Sequence, residues 1–359
     1  MSDSKSPLKI TDADLRSHQV QEYIDIQAYH SHDVGPVTDR PWVIRVIYAN
    51  WFYLAICCAI GGAVAWAFTE PFFDDSETSE GATIAGILIF PAVAACVGLF
   101  LGAAEGIMCR NFLRAIKCGS IGLGVGFLGG LLAILPTGLV FALMSTIAVS
   151  FWDNPQPDAM PTGIALLILM MGRAAAWSIA AIPAGIGQGI ALREKKVIIN
   201  GLVGGVLGGL LGGLLFDPIS LVFVTADGQA ALSRLIGFAT IGCLVGLFVG
   251  LVEGWTKTAW LMMKKGPLAG KQFILFKDTT VLGSTPKADI YLFKDDAIEP
   301  KHALIYNRGG KFEIEDCVTA DGTYVNGKPI NRHVLQHGDQ IVMGKTVLEF
   351  SVRDADTNS

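Results

Sequence analysis

Chemistry needs groups that ionise, coordinate or attack, held at fixed spacing, and few stretches of this chain offer them. Six histidines are present. His30 and His32 in AYHSHD form the closest pair, but two imidazoles on a loop, without cysteine or a further carboxylate at ligand spacing, make a poor metal site. No nucleophile, base and orienting group can be assembled around the histidines, so an enzyme is not expected. Gly124-x-Gly126-x-x-Gly129 has the lettering of a dinucleotide turn, yet it lies inside an apolar run with no strand before it, which favours helix packing. Gly338 and Gly344-Lys345-Thr346 look like a phosphate loop with the glycines one residue too far apart. Glu105 and Glu253 occur in matching contexts, Gly98-x-x-x-Gly102-x-x-Glu105-Gly106 and Gly246-x-x-x-Gly250-x-x-Glu253-Gly254. A carboxylate near a helix C-terminus opposes the helix dipole. An ion path therefore competes with a paired carboxylate at a membrane boundary, and position favours the second. Neither a cofactor nor a metal is expected.

The remaining polar residues of interest lie among strands. From Val281 to Gly327, short apolar/polar alternations at Asp289–Phe293, Ala303–Tyr306 and Lys311–Glu315 lie between turn signals at Asn307–Gly310, Asp321–Gly322 and Asn326–Gly327. Leu348, Phe350 and Val352 would share one face of a final strand. Short strands at such intervals predict an all-β sandwich. Within it stand Gly283-Ser284, Glu299-Pro300-Lys301-His302, Thr319-Ala320-Asp321-Gly322-Thr323, Asn326-Gly327 and Gly338-Asp339. In that order they resemble the forkhead-associated (FHA) family, β-sandwiches that bind phosphothreonine peptides through loops at one end. The resemblance covers residues 270–353 and implies a framework of Gly283, His302, Gly322, Thr323, Asn326 and Gly327, with His302 supporting the loops. It also implies candidate peptide-binding positions at Ser284, Lys287, Glu299, Lys301, Thr319 and Asp321. The family's peptide-contacting Arg, Ser and Asn are replaced here by Ser284, Glu299 and Asp321. A degenerate pocket is expected, unless Lys287 or Lys301 stands in for the arginine.

What holds such a domain is a membrane block. Of 359 residues, 52% are hydrophobic and only 16% charged, against about 25% charged in soluble domains. Forty-two glycines point to helices packed closely in lipid. The net charge of −5 and the lack of a basic stripe argue against nucleic acid. Cys57, Cys58, Cys96 and Cys243 fall inside apolar runs and read as small buried hydrophobes. No apolar run of signal length occurs in residues 1–40.

The chain divides into a polar segment 1–42, with a short helix over Asp12–Gln27, a transmembrane domain 43–256, a basic juxtamembrane linker 257–269, the FHA-like domain 270–353 and a disordered tail 354–359. Six apolar segments qualify as spans: Ile47–Phe68, Thr83–Ala104, Ile121–Val149, Ala174–Leu192, Val197–Phe216 and Leu235–Val252. Gly163–Gly172 reads as an interfacial or re-entrant piece that leaves Arg173 near the outer boundary. The loops 69–80, 152–161 and 217–233 contain no Lys or Arg, whereas Arg110, Arg114, Lys117, Arg193, Lys195, Lys196, Lys257, Lys264 and Lys265 fall on the other side. Both termini are thus expected in the cytosol. The glycine repeats suggest three helical hairpins. The expected protein is a multi-pass membrane scaffold or signalling protein that shows a cytosolic protein or peptide an FHA-like domain, with homo-oligomerisation left open. The alternative is a channel or transporter regulated by that domain.

Overall fold

The computed structural model describes residues 41–72, 80–152, 161–223 and 230–353, with 17 and 20. The His30/His32 pair, nearly all of Asp12–Gln27 and the tail 354–359 lie outside the described residues. The chain forms two compact units. Among the described residues, one holds those of 41–260, 270–278 and 352–353; the other holds 261–269 and 279–351.

The first unit is helical. After α1 (Trp42–Ile47) come α2 (Asn50–Thr69), α3 (Glu80–Met108), α4 (Phe112–Ser150), α5 (Gly163–Leu192), α6 (Lys195–Phe223) and α7 (Ala231–Thr256). These last six are long and apolar enough to cross a membrane. Each packs against its sequence neighbour, and α7 closes the ring on α2.

The contacts within the ring correct the expected repeat. Three helix pairs share one motif: α3 with α4, α5 with α6, and α7 with α2. In each, two glycines four residues apart face a carbonyl and an amide three residues apart. A Cβ on Gly102, Gly185 or Gly246 would lie 2.4, 2.1 or 2.2 Å from the carbonyl oxygen of Cys118, Gly201 or Leu54. One on Gly106, Gly189 or Gly250 would lie 2.4, 2.4 or 2.6 Å from the amide nitrogen of Ala115, Ile198 or Trp51. A side chain at any of these positions would push the backbones apart. Gly246 therefore matches Gly102 and not Gly98, one helical turn from the register the sequence suggests. The third pair is not a hairpin either, because its two helices come from opposite ends of the block.

Two of the pairs are joined by the same tight turn. Arg110 N–H donates to Ile107 O (3.1 Å) and Asn111 N–H to Gly106 O (2.7 Å). Arg193 N–H donates to Ile190 O (3.2 Å) and Glu194 N–H to Gly189 O (3.1 Å). Both arginines take the left-handed conformation, with φ of 52° and 57°. Glycine is usual there, and an L side chain costs about 1–2 kcal/mol.

Inside the ring, Val93, Val97, Trp177, Ala181, Ile241 and Val245 line a cavity of about 10 Å³ with no polar neighbour. That is barely the volume of one water and offers it no partner. Polar side chains gather elsewhere. Glu105 pairs with Arg114 at 3.1 Å, and Glu253 accepts from Asn50 Nδ2 at 3.3 Å. Glu70 makes two bonds to Arg234, of 2.9 and 2.6 Å.

The segment before Arg173 departs from expectation. The segment Gly163–Gly172 is not a separate interfacial piece but the first third of the continuous helix α5. Arg173 Nε lies 3.0 Å from Asp217 Oδ1, and its guanidinium lies 5.3 and 5.2 Å from the ring centres of Phe141 and Phe216. A buried carboxylate and two aromatic faces make the arginine tolerable within an apolar span. Asp217 can supply that carboxylate because α6 runs on through Pro218 to Phe223, where the sequence suggests a loop.

The sandwich is built from β1 (Ala259–Lys265), β2 (Gln272–Ile274), β3 (Thr279–Gly283), β4 (Ile290–Tyr291), β5 (Ala303–Arg308), β6 (Lys311–Asp316), β7 (Thr323–Val325), β8 (Lys328–Ile330), β9 (Arg332–Val334), β10 (Gln340–Met343) and β11 (Thr346–Val352). The sheets run β2-β1-β11-β10-β7-β8 and β4-β3-β5-β6-β9. The stretch expected as a linker is therefore mostly strand β1. Its alternation buries Ala259, Leu261 and Met263, a period-two pattern that the neighbouring tryptophan and lysines disguise as a membrane-surface segment. Leu282, Ile305 and Ile314 of one sheet and Ile341, Leu348 and Phe350 of the other are buried in the core, and the rings of Phe312 and Phe350 are 5.4 Å apart. Pairing of Val325 with Lys328 leaves Asn326-Gly327 as a two-residue turn with φ of 48° and 80°, the conformation that Asn-Gly favours.

Candidate peptide-binding site

The candidate residues converge at one end of the sandwich, on the β3–β4, β4–β5 and β6–β7 connections. His302, fully buried, organises two of them. Its Nδ1 accepts from the Glu299 amide at 3.1 Å, so the ring proton resides on Nε2, which donates to Gly322 O at 3.2 Å. Gly283 admits the β4–β5 connection, since a Cβ there would meet Pro300 O at 2.2 Å. Ser284 N–H donates to Glu299 O at 3.0 Å, which brings the first loop beside the second.

The β6–β7 connection is tied down by Asp316. Its carboxylate accepts from Thr319 N–H (3.0 Å), Thr319 Oγ1 (2.9 Å) and Thr323 Oγ1 (2.7 Å). Burial pushes its pKa up, but the bonds from Thr323 and Thr319 outweigh that and hold the carboxyl below its ordinary value. The loop's tip is Val318, 95% exposed with φ of 61°, a rare conformation for a β-branched residue.

Glu299 faces this loop. Its Oε1 accepts the Ala320 amide proton at 2.9 Å. Ser284 and Thr319 are half-buried, while Lys287, Lys301 and Asp321 are exposed. Side-chain reasoning missed the Ala320 amide, because any residue can supply a backbone donor. Asp316 was legible in principle, standing three residues before Thr319 and seven before Thr323, a spacing that lets a carboxylate close a turn. The Asn326 framework position is also explained: its Nδ2 donates to Asp339 Oδ1 at 2.7 Å and its Oδ1 accepts from Gln340 N–H at 2.9 Å.

A family model described as FHA domain matches residues 280–344. The oxoglutarate dehydrogenase inhibitor of Corynebacterium jeikeium is 42% identical over 101 residues, covering 28% of this chain and 67% of that protein. The glycogen accumulation regulator GarA of Mycolicibacterium smegmatis is 40% identical over 125 residues, covering 35% of this chain and 76% of that one. The chain belongs to the FHA-domain family. In other relatives named oxoglutarate dehydrogenase inhibitor the match spans 65% and 64% of their length. Among solved structures, the FHA domain of a Chlamydia trachomatis protein aligns with 27% identity and a TM-score of 0.26, over 27% of this chain and 99% of that one. The FHA similarity falls on the sandwich, and the six apolar helices precede it.

Proposed function

We propose that this chain is a membrane-anchored interaction protein whose FHA domain recruits a protein partner at the cytosolic face without an ordinary phosphothreonine pocket. The observation that carries the reading is Glu299, whose carboxylate already accepts the Ala320 amide. An incoming phosphate would compete with a resident anion for a donor of this loop, and would find a serine at the place where the family resemblance expects an arginine. Lys287 and Lys301 both point into solvent, as single charges without the fork that grips phosphate in two bonds.

The relatives' names, an inhibitor and a regulator, support a binding role over an enzymatic one. The basic residues at one end of the ring support cytosolic termini. The test is capture of partners by the full-length protein in detergent, from lysate with and without phosphatase treatment. We expect the same partners in both. Loss of the main partner after phosphatase treatment would restore an ordinary phosphothreonine reading.

A further inference from the structure

The packing of the helix ring does not explain Arg110 and Arg193. Each occupies the left-handed position of a turn that calls for glycine, four residues after the second glycine of its pair. The choice of arginine occurs twice, at equivalent places on one end of the ring, and both residues are exposed. We propose that these two turns bind the headgroups of anionic phospholipids.

The neighbours fit that occupant. Beside Arg110 are Phe112, Leu113 and Ile116, exposed by 75%, 69% and 70%, together with exposed Lys117. Beside Arg193 are exposed Lys195 and Lys196 and the apolar Ile199. Each turn thus places cations next to apolar side chains, with a phosphate at one level and acyl chains at the next. A guanidinium offers a planar pair of donors to phosphate oxygens, which a lysine does not. The acidic residues nearby do not cancel this charge. Glu105 is paired with Arg114, leaving Arg110 and Lys117, while Glu194 is one carboxylate against Arg193, Lys195 and Lys196. A free phosphate would use the cations but not the apolar collar, and this argues for lipid.

The experiment uses the full-length protein in bilayer discs of phosphatidylcholine, alone or mixed with phosphatidylglycerol. Lipid retained after release is read by native mass spectrometry, and unfolding by heating. The parent should retain phosphatidylglycerol in preference to phosphatidylcholine. Arg110→Gly with Arg193→Gly should reduce that preference about tenfold or more, the scale expected when two cations leave a bilayer surface. Its unfolding midpoint in phosphatidylcholine alone should stay the same or rise, because glycine relieves the left-handed turns. Arg110→Asn with Arg193→Asn, which also tolerates the turn, should behave alike and covers the case in which the glycine variant does not fold. Parental preference in a folded variant would overturn the proposal. So would an equal loss on changing Lys264 and Lys265 to Gln, which would mark a bulk charge effect, or competition by inorganic phosphate that removes the preference.

Discussion

The FHA pocket can be tested by restoring the residues that the family resemblance expects. Ser284→Arg, Glu299→Ser and Asp321→Asn together change the charge of the loops from −2 to +1. Two unit charges about 5 Å apart interact by about 3 kcal/mol at an effective dielectric near ~20. At exposed loop tips solvent reduces this to about 1 kcal/mol each, so three changes are worth about 3 kcal/mol, or upward of ~100-fold in Kd. Removing Glu299 also frees the Ala320 amide, whose present partner is 2.9 Å away. Since Ala320 is exposed, water can solvate the freed donor and the domain should stay folded. The assay is calorimetry of the fragment 258–353 with phosphothreonine peptides and their unphosphorylated twins. The parent should show no phosphate-dependent binding, and the triple variant should gain it. Tight, phosphate-dependent binding by the parent would refute the reasoning, as would a folded triple variant that gains nothing.

The fragment 258–353 should fold alone, whereas 270–353 should not. The shorter piece lacks β1, and two fully buried side chains such as Leu261 and Met263 are worth about 1.5–3 kcal/mol each, against a total of about 5–15 kcal/mol; circular dichroism and thermal unfolding decide it. Asp316→Asn should destabilise the domain by about 1–3 kcal/mol at neutral pH. Because the folded carboxyl is held below its ordinary value, its contribution is complete above about pH 4 and is lost as pH falls through the folded value. Acid titration should therefore be less steep in the variant. Gly185→Val, which must displace the Gly201 carbonyl, should lower stability in detergent by about 1–3 kcal/mol or more, with an unaltered midpoint as the contrary result. Cysteines at Lys195 and Trp152, in a background without accessible thiols, should label from opposite sides of the membrane; labelling of Lys195→Cys from outside intact cells would reverse the orientation.

Legibility followed the range of the interactions involved. Asn326-Gly327 and Asn307–Gly310 declare themselves because the chain enforces their turn locally. The glycine periods reveal close helix contact for the same reason. They do not reveal register, because Gly98, Gly102 and Gly106 repeat every turn and permit two alignments with Gly246 and Gly250. Only the partner backbones, Cys118 and Leu54 among them, choose between the two. The continuity of α5 through Arg173 was hidden because its partner is Asp217, a residue that reads as loop. Strand β1 was hidden because tryptophan, methionine and lysine suit a bilayer surface as well as a sheet. In the site, the side-chain positions were legible through family resemblance, but the donor that Glu299 occupies is a main-chain group and leaves no letter in the sequence.

The closure of α7 on α2 bears on how the molecule is assembled. The α3–α4 and α5–α6 pairs can form as soon as their turns are made, but α2 must wait while four helices are synthesised. Until α7 arrives, the α2 backbone that Gly242, Gly246 and Gly250 will meet lacks those partners. The final helix is thus the keystone of the ring, and a chain interrupted before Ala231 would leave an open arc with a vacant edge. An α7 offered by a neighbouring copy would present the same glycine face to that edge. The step most open to exchange between chains is therefore the last one before the FHA domain is made.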